Sequence, residues 1–412
     1  MKEDLDRLMA ERNIDALMIE GPDGLGSVNS AFNYFVGGAQ LPGLVIKKRG
    51  EPTILIHSAW EQHQAESTGL ELMLNTRWNM REIMASKASA LEAAIEYRRQ
   101  ILTDLGIRGR VAVYGTVEAG RSYALLRGLE QAMPAIEIVA EFDKNLISQA
   151  RLTKDADEVA RMRDVGRKTC EVVQAVVDFI KNQQAQDGIV VDAAGQTITI
   201  GHVKQLIERE LAVRGLEANN DTIFAQGRDA GLPHARGEER DPLRLGQTIV
   251  FDIFPRQAGG GYYHDMTRTF AIGYASPEIQ EAYDHVFGAF QQVLGELETG
   301  APTKVYQDLV CRYFEERGHD TIGRTYPIEE GYIHSLGHGL GLEVHEDFGF
   351  PSLKDRGDRL VPGAVFSVEP GLYYPSRGFG IRVEDTIYCT PDGQFENLTS
   401  FPYDFVIPIK GA

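Results

Sequence analysis

Apolar residues recur with two different periods along the chain, and the places where the period changes mark its organisation. Leu5, Leu8 and Met9 fall at helical spacing and are followed by the apolar run 16–19 and strand-like runs at 43–46 and 53–56. A charged helical stretch over 87–105 and a short strand at 111–114 continue the alternation towards Phe142, which predicts an α/β domain. Near residue 150 the pattern becomes one long helix. Val159, Met162, Val165, Val172, Val173, Val176 and Ile180 fall on a single face, with Thr153 as the expected cap. Further helices are expected over 203–213, stopped by Gly215; from Ser276-Pro277 to Gly300; and from Pro302 to Gly318. β-branched and aromatic runs at 248–254, 266–272, 364–368 and 381–388 predict strands. The expected architecture is an α/β domain over 1–148 and an α+β domain over 149–412, the latter a curved antiparallel sheet covered by helices.

Composition narrows the class. A chain of 412 residues exceeds what one core usually organises, and 43% hydrophobic with 25% charged residues is the balance of a globular enzyme. A net charge of −18 repels phosphate backbones and anionic lipid, so neither nucleic acid nor membrane is an expected partner. The opening residues mix charges, and no apolar run approaches the ~20 residues of a spanning helix, so a cytoplasmic location is expected. Cys170, Cys311 and Cys389 are odd in number and far apart, which suits buried free thiols in a reducing compartment.

The chemistry lies in acids set among strand-like runs: Asp252, Asp265, Glu369 and Glu384. They accompany His234 and the run His334-Ser-Leu-Gly-His338-Gly-Leu-Gly-Leu-Glu-Val-His345. A carboxylate in such a run is paired, metal-bound or turned to solvent, because burying a lone charge costs several kcal/mol. Singly, each has a structural explanation: Asp252 could face outward, Glu384 could pair with Arg382, and any one histidine could be satisfied by backbone. Together, four acids and a histidine in a glycine-rich segment offer an oxygen-dominated site for two divalent ions, Mn or Co first and Zn next. The Gly259-Gly260-Gly261 turn is not a phosphate cradle, since a strand pattern and not a helix follows it.

With these residues the chain resembles the pita-bread metallopeptidases, the family of methionine aminopeptidase, aminopeptidase P and prolidase, with creatinase as a relative. The likeness covers about 150–412, and the first domain is similar to the creatinase-type N-terminal domain of the proline-directed members. It implies Asp252, Asp265 (in His-Asp-Met-Thr-Arg-Thr), His338, Glu369 and Glu384 as the ligands of two divalent ions. It further implies Glu369 as general base, His234 and His345 as catalytic imidazoles that stabilise the oxyanion and hold the peptide, and His334 as a substrate-pocket residue. Arg382 belongs to the same pocket, mainly as a group that orients ligands. The two aspartates stand two positions further apart than is usual in the family, a lengthening assigned to the glycine turn. Creatinase-like members lose several of these acids, so the full set implies metal-dependent hydrolysis near a substrate N-terminus. An Xaa-Pro bond is the expected target, since a tertiary amide with a fixed ring needs a dedicated pocket. A homodimer is expected by the same resemblance. Two alternatives stand beside it. One is a small-molecule hydrolase or lyase on the same fold, acting on a creatinase-like, ectoine-type or sulfonium substrate; the other is a binding module that has lost the chemistry.

Overall fold

The computed structural model describes residues 4–22, 29–218 and 222–411. Two compact units divide it: Met1–Arg151 with Gly259–Gly261, and Leu152–Ala258 with Tyr262–Ala412.

The first unit is built on a six-stranded mixed sheet. Its strands are β1 (Ala16–Glu20), β2 (Leu44–Lys48), β3 (Thr53–His57), β4 (Glu71–Leu74), β5 (Gly109–Tyr114) and β6 (Ile136–Val139), in the order β4-β3-β2-β1-β5-β6. β1 runs parallel to β5 and antiparallel to β2. Four of its five residues are buried, as a central strand covered on both faces requires. The helix Ala90–Asp104 is capped by Ser89, whose side chain accepts from the Glu92 amide, and it buries Ala93, Tyr97, Ile101 and Leu102.

The second unit opens with α1 (Ala156–Lys181), whose buried face carries the valines and isoleucine of the sequence pattern. Its cap is Asp155 and not Thr153. The Asp155 side chain accepts from the Glu158 amide and the Glu158 carboxylate accepts from the Asp155 amide, a reciprocal box that a threonine two positions earlier cannot make. Thr153 instead bridges to Ala364. Helix α2 (Ile200–Val213) begins three residues earlier than expected because Thr199 and His202 cap each other, and Gly215 beyond it adopts φ +68°. Helices α3 (Pro277–Glu296) and α4 (Lys304–Glu315) complete the set, α3 capped by Ser276 and ending short of Gly300.

Most strands of this unit form two main sheets and a hairpin, beside two short pairs, Gln184–Gln186 with Ile189–Val191 and Leu216–Glu217 with Arg256–Gln257. Strands β7 (Ile223–Gln226), β8 (Thr248–Ile253), β9 (Met266–Ile272) and, near the C-terminus, β17 (Val406–Ile407) make one sheet in the order β7-β8-β9-β17. The second contains β10 (His338–Gly339), β11 (Glu346–Gly349), β12 (Val365–Val368), β15 (Asp385–Cys389) and β16 (Phe395–Asn397), in the order β11-β10-β12-β15-β16. Between them β13 (Gly371–Tyr374) and β14 (Phe379–Arg382) pair as an antiparallel hairpin. The β-branched and aromatic run 381–388 is therefore not one strand. At Glu384 the backbone turns to pair both ways with Thr267 of β9, so β14 and β15 flank a crossing point between the two main sheets. Phe290, Phe314, Tyr332 and Phe366 centre the core beneath. No helix among the described residues is long and apolar enough to cross a membrane, and Cys170, Cys311 and Cys389 are all buried and free.

Candidate metal centre

Strand alternation brings the acids together. Asp252 on β8 stands opposite Thr267 on β9, and Asp265 precedes Thr267 by two residues, so period 2 turns all three side chains to one face. The bridge at Glu384 adds a third acid to this face: the Thr267 hydroxyl donates to Glu384 Oε2 at 2.7 Å. His338 comes from β10, where a Cβ on its neighbour Gly337 would lie 2.0 Å from the Ser367 carbonyl. Glycine is what permits that approach. Glu369 follows β12, and the Ser367 hydroxyl both accepts from the His338 amide at 3.1 Å and donates to Glu369 Oε1 at 3.3 Å.

These five residues converge without neutralising one another. Ligand atoms of Asp265, His338 and Glu384 lie within 4.8 Å of one another. His338 Nε2 is 3.6 Å from Asp265 Oδ2 and 3.3 Å from Glu369 Oε1. Three buried carboxylate oxygens, Asp252 Oδ1, Asp265 Oδ1 and Glu384 Oε1, have no hydrogen-bond partner among the described residues. Burial, then the facing Asp252 and Glu369, holds the Asp265 carboxyl well above the usual range. Burial and Asp265 do the same to Glu384. Burial also pushes Glu369 up to about 8 although Arg382 opposes it.

The His338 imidazole is neutral, held down to about 3 by burial and then by His345. Its Nδ1–H donates to the Gly339 carbonyl at 3.2 Å, so the bare Nε2 points its lone pair at two carboxylates. Such an arrangement is repulsive while the carboxylates are charged, and a proton or a cation among the donors relieves it. The donor set of one imidazole nitrogen and several carboxylate oxygens therefore fits divalent transition ions, and the partnerless oxygens are the positions such ions would satisfy.

The other expected residues surround this cluster. His345 is exposed at the rim, with its ring edge-on to His338 at 4.2 Å between centroids. His234, also exposed, lies near enough to act electrostatically on both His345 and His334. His334 differs from expectation in its availability. Nδ1 faces the Ser335 carbonyl at 2.7 Å and Nε2 the Tyr373 hydroxyl at 2.8 Å, so only the ring's face or edge remains for a ligand. Arg382 is likewise engaged: it forms an ion pair with Asp252, donates from Nη1 to the Tyr373 hydroxyl at 2.8 Å and from Nε to Thr267 Oγ1 at 3.0 Å. It orients Asp252.

Sequence reasoning did not reach Thr267, Ser367 and Tyr373, which hold these groups in place. Two of them carried a usable signal, since Thr267 lies two after Asp265 and Ser367 two before Glu369, on the same strand faces as those acids. Arg268 is a further support. Its donors reach the carbonyls of Thr267, Glu384, Phe401 and Pro402, and its guanidinium forms an ion pair with Asp385 Oδ1 at 2.8 Å.

Comparison with known proteins adds the family. The profile of metallopeptidase family M24 matches residues 160–391. The chain is 26% identical over 407 residues to the Xaa-Pro dipeptidase of Pyrococcus furiosus, covering 95% of this chain and 97% of that one. It is 26% identical over 326 residues to the probable dipeptidase PepE of Mycobacterium tuberculosis, covering 75% and 79%. Among solved structures it is similar to an Xaa-Pro dipeptidase from Bacillus anthracis, with a TM-score of 0.75, 23% identity and 99% of each chain covered. An X-Pro aminopeptidase from Thermotoga maritima matches with a TM-score of 0.73, 24% identity and 96% and 99% coverage. These structural likenesses carry the fold: an α/β first unit and a pita-bread second unit.

Proposed function

Because the chain belongs to metallopeptidase family M24, we propose that it is a two-metal peptidase acting near the N-terminus of its substrate, on bonds that involve proline. The observation that carries this reading is the convergence of Asp265 Oδ2 and Glu369 Oε1 on the bare Nε2 of His338, beside the partnerless buried oxygens Asp252 Oδ1, Asp265 Oδ1 and Glu384 Oε1. Asp252, Asp265, His338, Glu369 and Glu384 would hold the two ions, Mn or Co in preference to Zn. Bound there, divalent cations supply Lewis acidity to a water molecule and to the scissile carbonyl.

The remaining steps belong to the chain itself. Glu369 takes a proton from the attacking water as its oxygen bonds to the carbonyl carbon, and returns it to the leaving nitrogen as the C–N bond breaks; burial, which raises its affinity for a proton, suits it to both acts. His234 and His345, exposed beside the cluster, donate to the carbonyl oxygen as it gains charge and hold the peptide. His334 offers the ring wall of the substrate pocket, and Arg382 keeps Asp252 in position. The Xaa-Pro preference is supported by the substrates in the names of the Pyrococcus and Bacillus proteins. Free buried cysteines support a cytoplasmic location, and a homodimer is the assembly expected by resemblance.

One experiment tests the reading. The chain freed of metal with a chelator, then reloaded with Mn, Co or Mg, is assayed on Xaa-Pro dipeptides and tripeptides and on cyclic amidine and sulfonium osmolytes. Peptide cleavage restored by Mn or Co more fully than by Mg supports the proposal. Full activity without metal, or turnover of the osmolytes alone, overturns it.

A further inference from the structure

We propose that Lys154 is a positioning residue for this reaction, holding His345 at the site through Glu346; the proposal rests on the reading of His345 as a group that touches the substrate. Lys154 Nζ pairs with Glu346 Oε2 at 2.8 Å, with side-chain exposures of only 3% and 6%. The other oxygen of Glu346 accepts from the Leu342 amide at 3.0 Å, so the carboxylate closes the turn 342–346 from inside. Gly341 leaves the room for this, because a Cβ there would lie 2.3 Å from Glu346 Oε1. The Gly341 carbonyl accepts from the Tyr263 amide at 2.8 Å, and Glu346 pairs with Gly339 in the β10–β11 ladder. Two residues at the ends of the turn are thus fixed, and His345 stands between them, adjacent to Glu346.

Lys154 is a rigid anchor for that carboxylate. Its own amide donates to the Gly363 carbonyl at 2.8 Å, its neighbour Thr153 bridges to Ala364, and Asp155 begins the capping box of α1. A second buried acid, Glu158, acts on Lys154 electrostatically but accepts from the Tyr262 hydroxyl and the Asp155 amide. Glu346 therefore has a cation where rotation of its side chain would break a second bond to the turn. A buried ion pair is an uneconomical way to gain stability alone, and its directional geometry is what distinguishes it from apolar packing.

The test is a double-mutant cycle on the Mn-loaded full chain hydrolysing Ala-Pro-Ala, with metal content and thermal unfolding recorded for every variant. Lys154→Met is expected to lower kcat about tenfold with KM within about twofold and both ions retained, and Lys154→Arg to recover most of that loss. Added to His345→Ala, Lys154→Met should cost less than about twofold more, because the group it positions is gone. Glu346→Gln keeps an acceptor for the Leu342 amide and removes the charge; if Lys154→Met does not fold, it carries the same expectations. Multiplicative losses in the double variant, or a lowered unfolding temperature with kcat unchanged, overturn the proposal and leave the role of His345 standing. A His345→Ala variant with the normal rate overturns that role and the proposal with it.

Discussion

The hydrogen bond between Tyr373 and His334 has one possible direction. His334 Nδ1 faces a carbonyl, which can only accept, so Nδ1 carries the proton of a ring held neutral, with its pKa lowered to about 4 by burial and by Arg382. Nε2 then accepts, and the Tyr373 hydroxyl is the donor. Burial raises the affinity of that hydroxyl for its proton. Its oxygen in turn accepts from Arg382 Nη1, whose other terminal nitrogen holds Asp252. A single phenol thus connects His334 to Asp252 of the candidate metal centre.

Tyr373→Phe should therefore slow turnover without emptying the site. Two buried groups lose a partner, at about 1–3 kcal/mol each when left unsatisfied. We expect kcat lower by on the order of tenfold, a lower unfolding temperature and two ions per chain, measured by steady-state kinetics, thermal scans and metal analysis. Unchanged kcat would mean that His334 and Asp252 keep their places without it.

Asp265→Asn separates metal affinity from stability. The variant should lose at least one ion and nearly all turnover. In the metal-free state it should be more stable than the parent, because it removes a carboxyl that burial and the neighbouring acids force to take up a proton on folding. Addition of Mn should raise the parent's unfolding temperature and barely move the variant's. A variant that retains both ions would mean the ligand assignment is wrong.

A pH effect is expected far from the acids. His319 donates or accepts at Tyr374 Oη over 2.6 Å and at His285 Nδ1 over 2.8 Å, and burial, then His285, lowers its pKa to about 4. In the unfolded chain it binds a proton below about 6.5, in the folded chain only below about 4, so its contribution to stability is complete above the higher value and lost as pH falls towards the lower. Partial exposure of the ring discounts the size. His319→Gln should thus narrow the gap between urea midpoints at pH 7 and pH 5; an unchanged gap would remove His319 from the acid response.

Dipeptides should hold no advantage over longer substrates. Prolidases place an arginine soon after the last histidine of the glycine-rich run, where it grips the free carboxylate; here the stretch reads His345-Glu346-Asp347-Phe348-Gly349. Glu346 is paired with Lys154, and Phe348 is buried. Among the later cations, Arg359 Nη1 donates to the Gly300 carbonyl at 3.0 Å, and Lys354 and Arg356 are exposed. Ala-Pro-Ala should then be cleaved with a kcat/KM at least equal to that of Ala-Pro. A tenfold preference for the dipeptide, about 1.4 kcal/mol, would reveal a carboxylate clamp from another part of the protein.

The sequence made the elements legible wherever a single period ran uninterrupted. Met266–Ile272 has its expected bounds because every residue of that strand is buried and four of the seven, Thr267, Thr269, Phe270 and Ile272, are β-favouring. The caps were less readable. Thr153 and Asp155 are both acceptable cap types, and only the reciprocal Glu158 distinguishes them. The run 381–388 hid a break because Val383 and Glu384 leave the hairpin without any glycine or proline to signal it; the cause is Thr267, more than a hundred residues away. The acids were visible as a set because charge is rare in such strands. Their supports were not, because Tyr373 and Lys154 look like an ordinary core aromatic and an ordinary helix-leading cation until the partners are placed.

The contacts of Arg268 also set a schedule for biosynthesis. Asp252 and Asp265 leave the ribosome on neighbouring strands and can pair early, but the carbonyls that hold Arg268 belong to Glu384, Phe401 and Pro402. The strand pairing that places the first two acids is thus local in sequence, whereas the frame around Glu384 needs the residues from 384 to 402. The centre is therefore a late product of assembly, complete only once the segment from Glu384 to Pro402 has docked on the strand that carries Arg268.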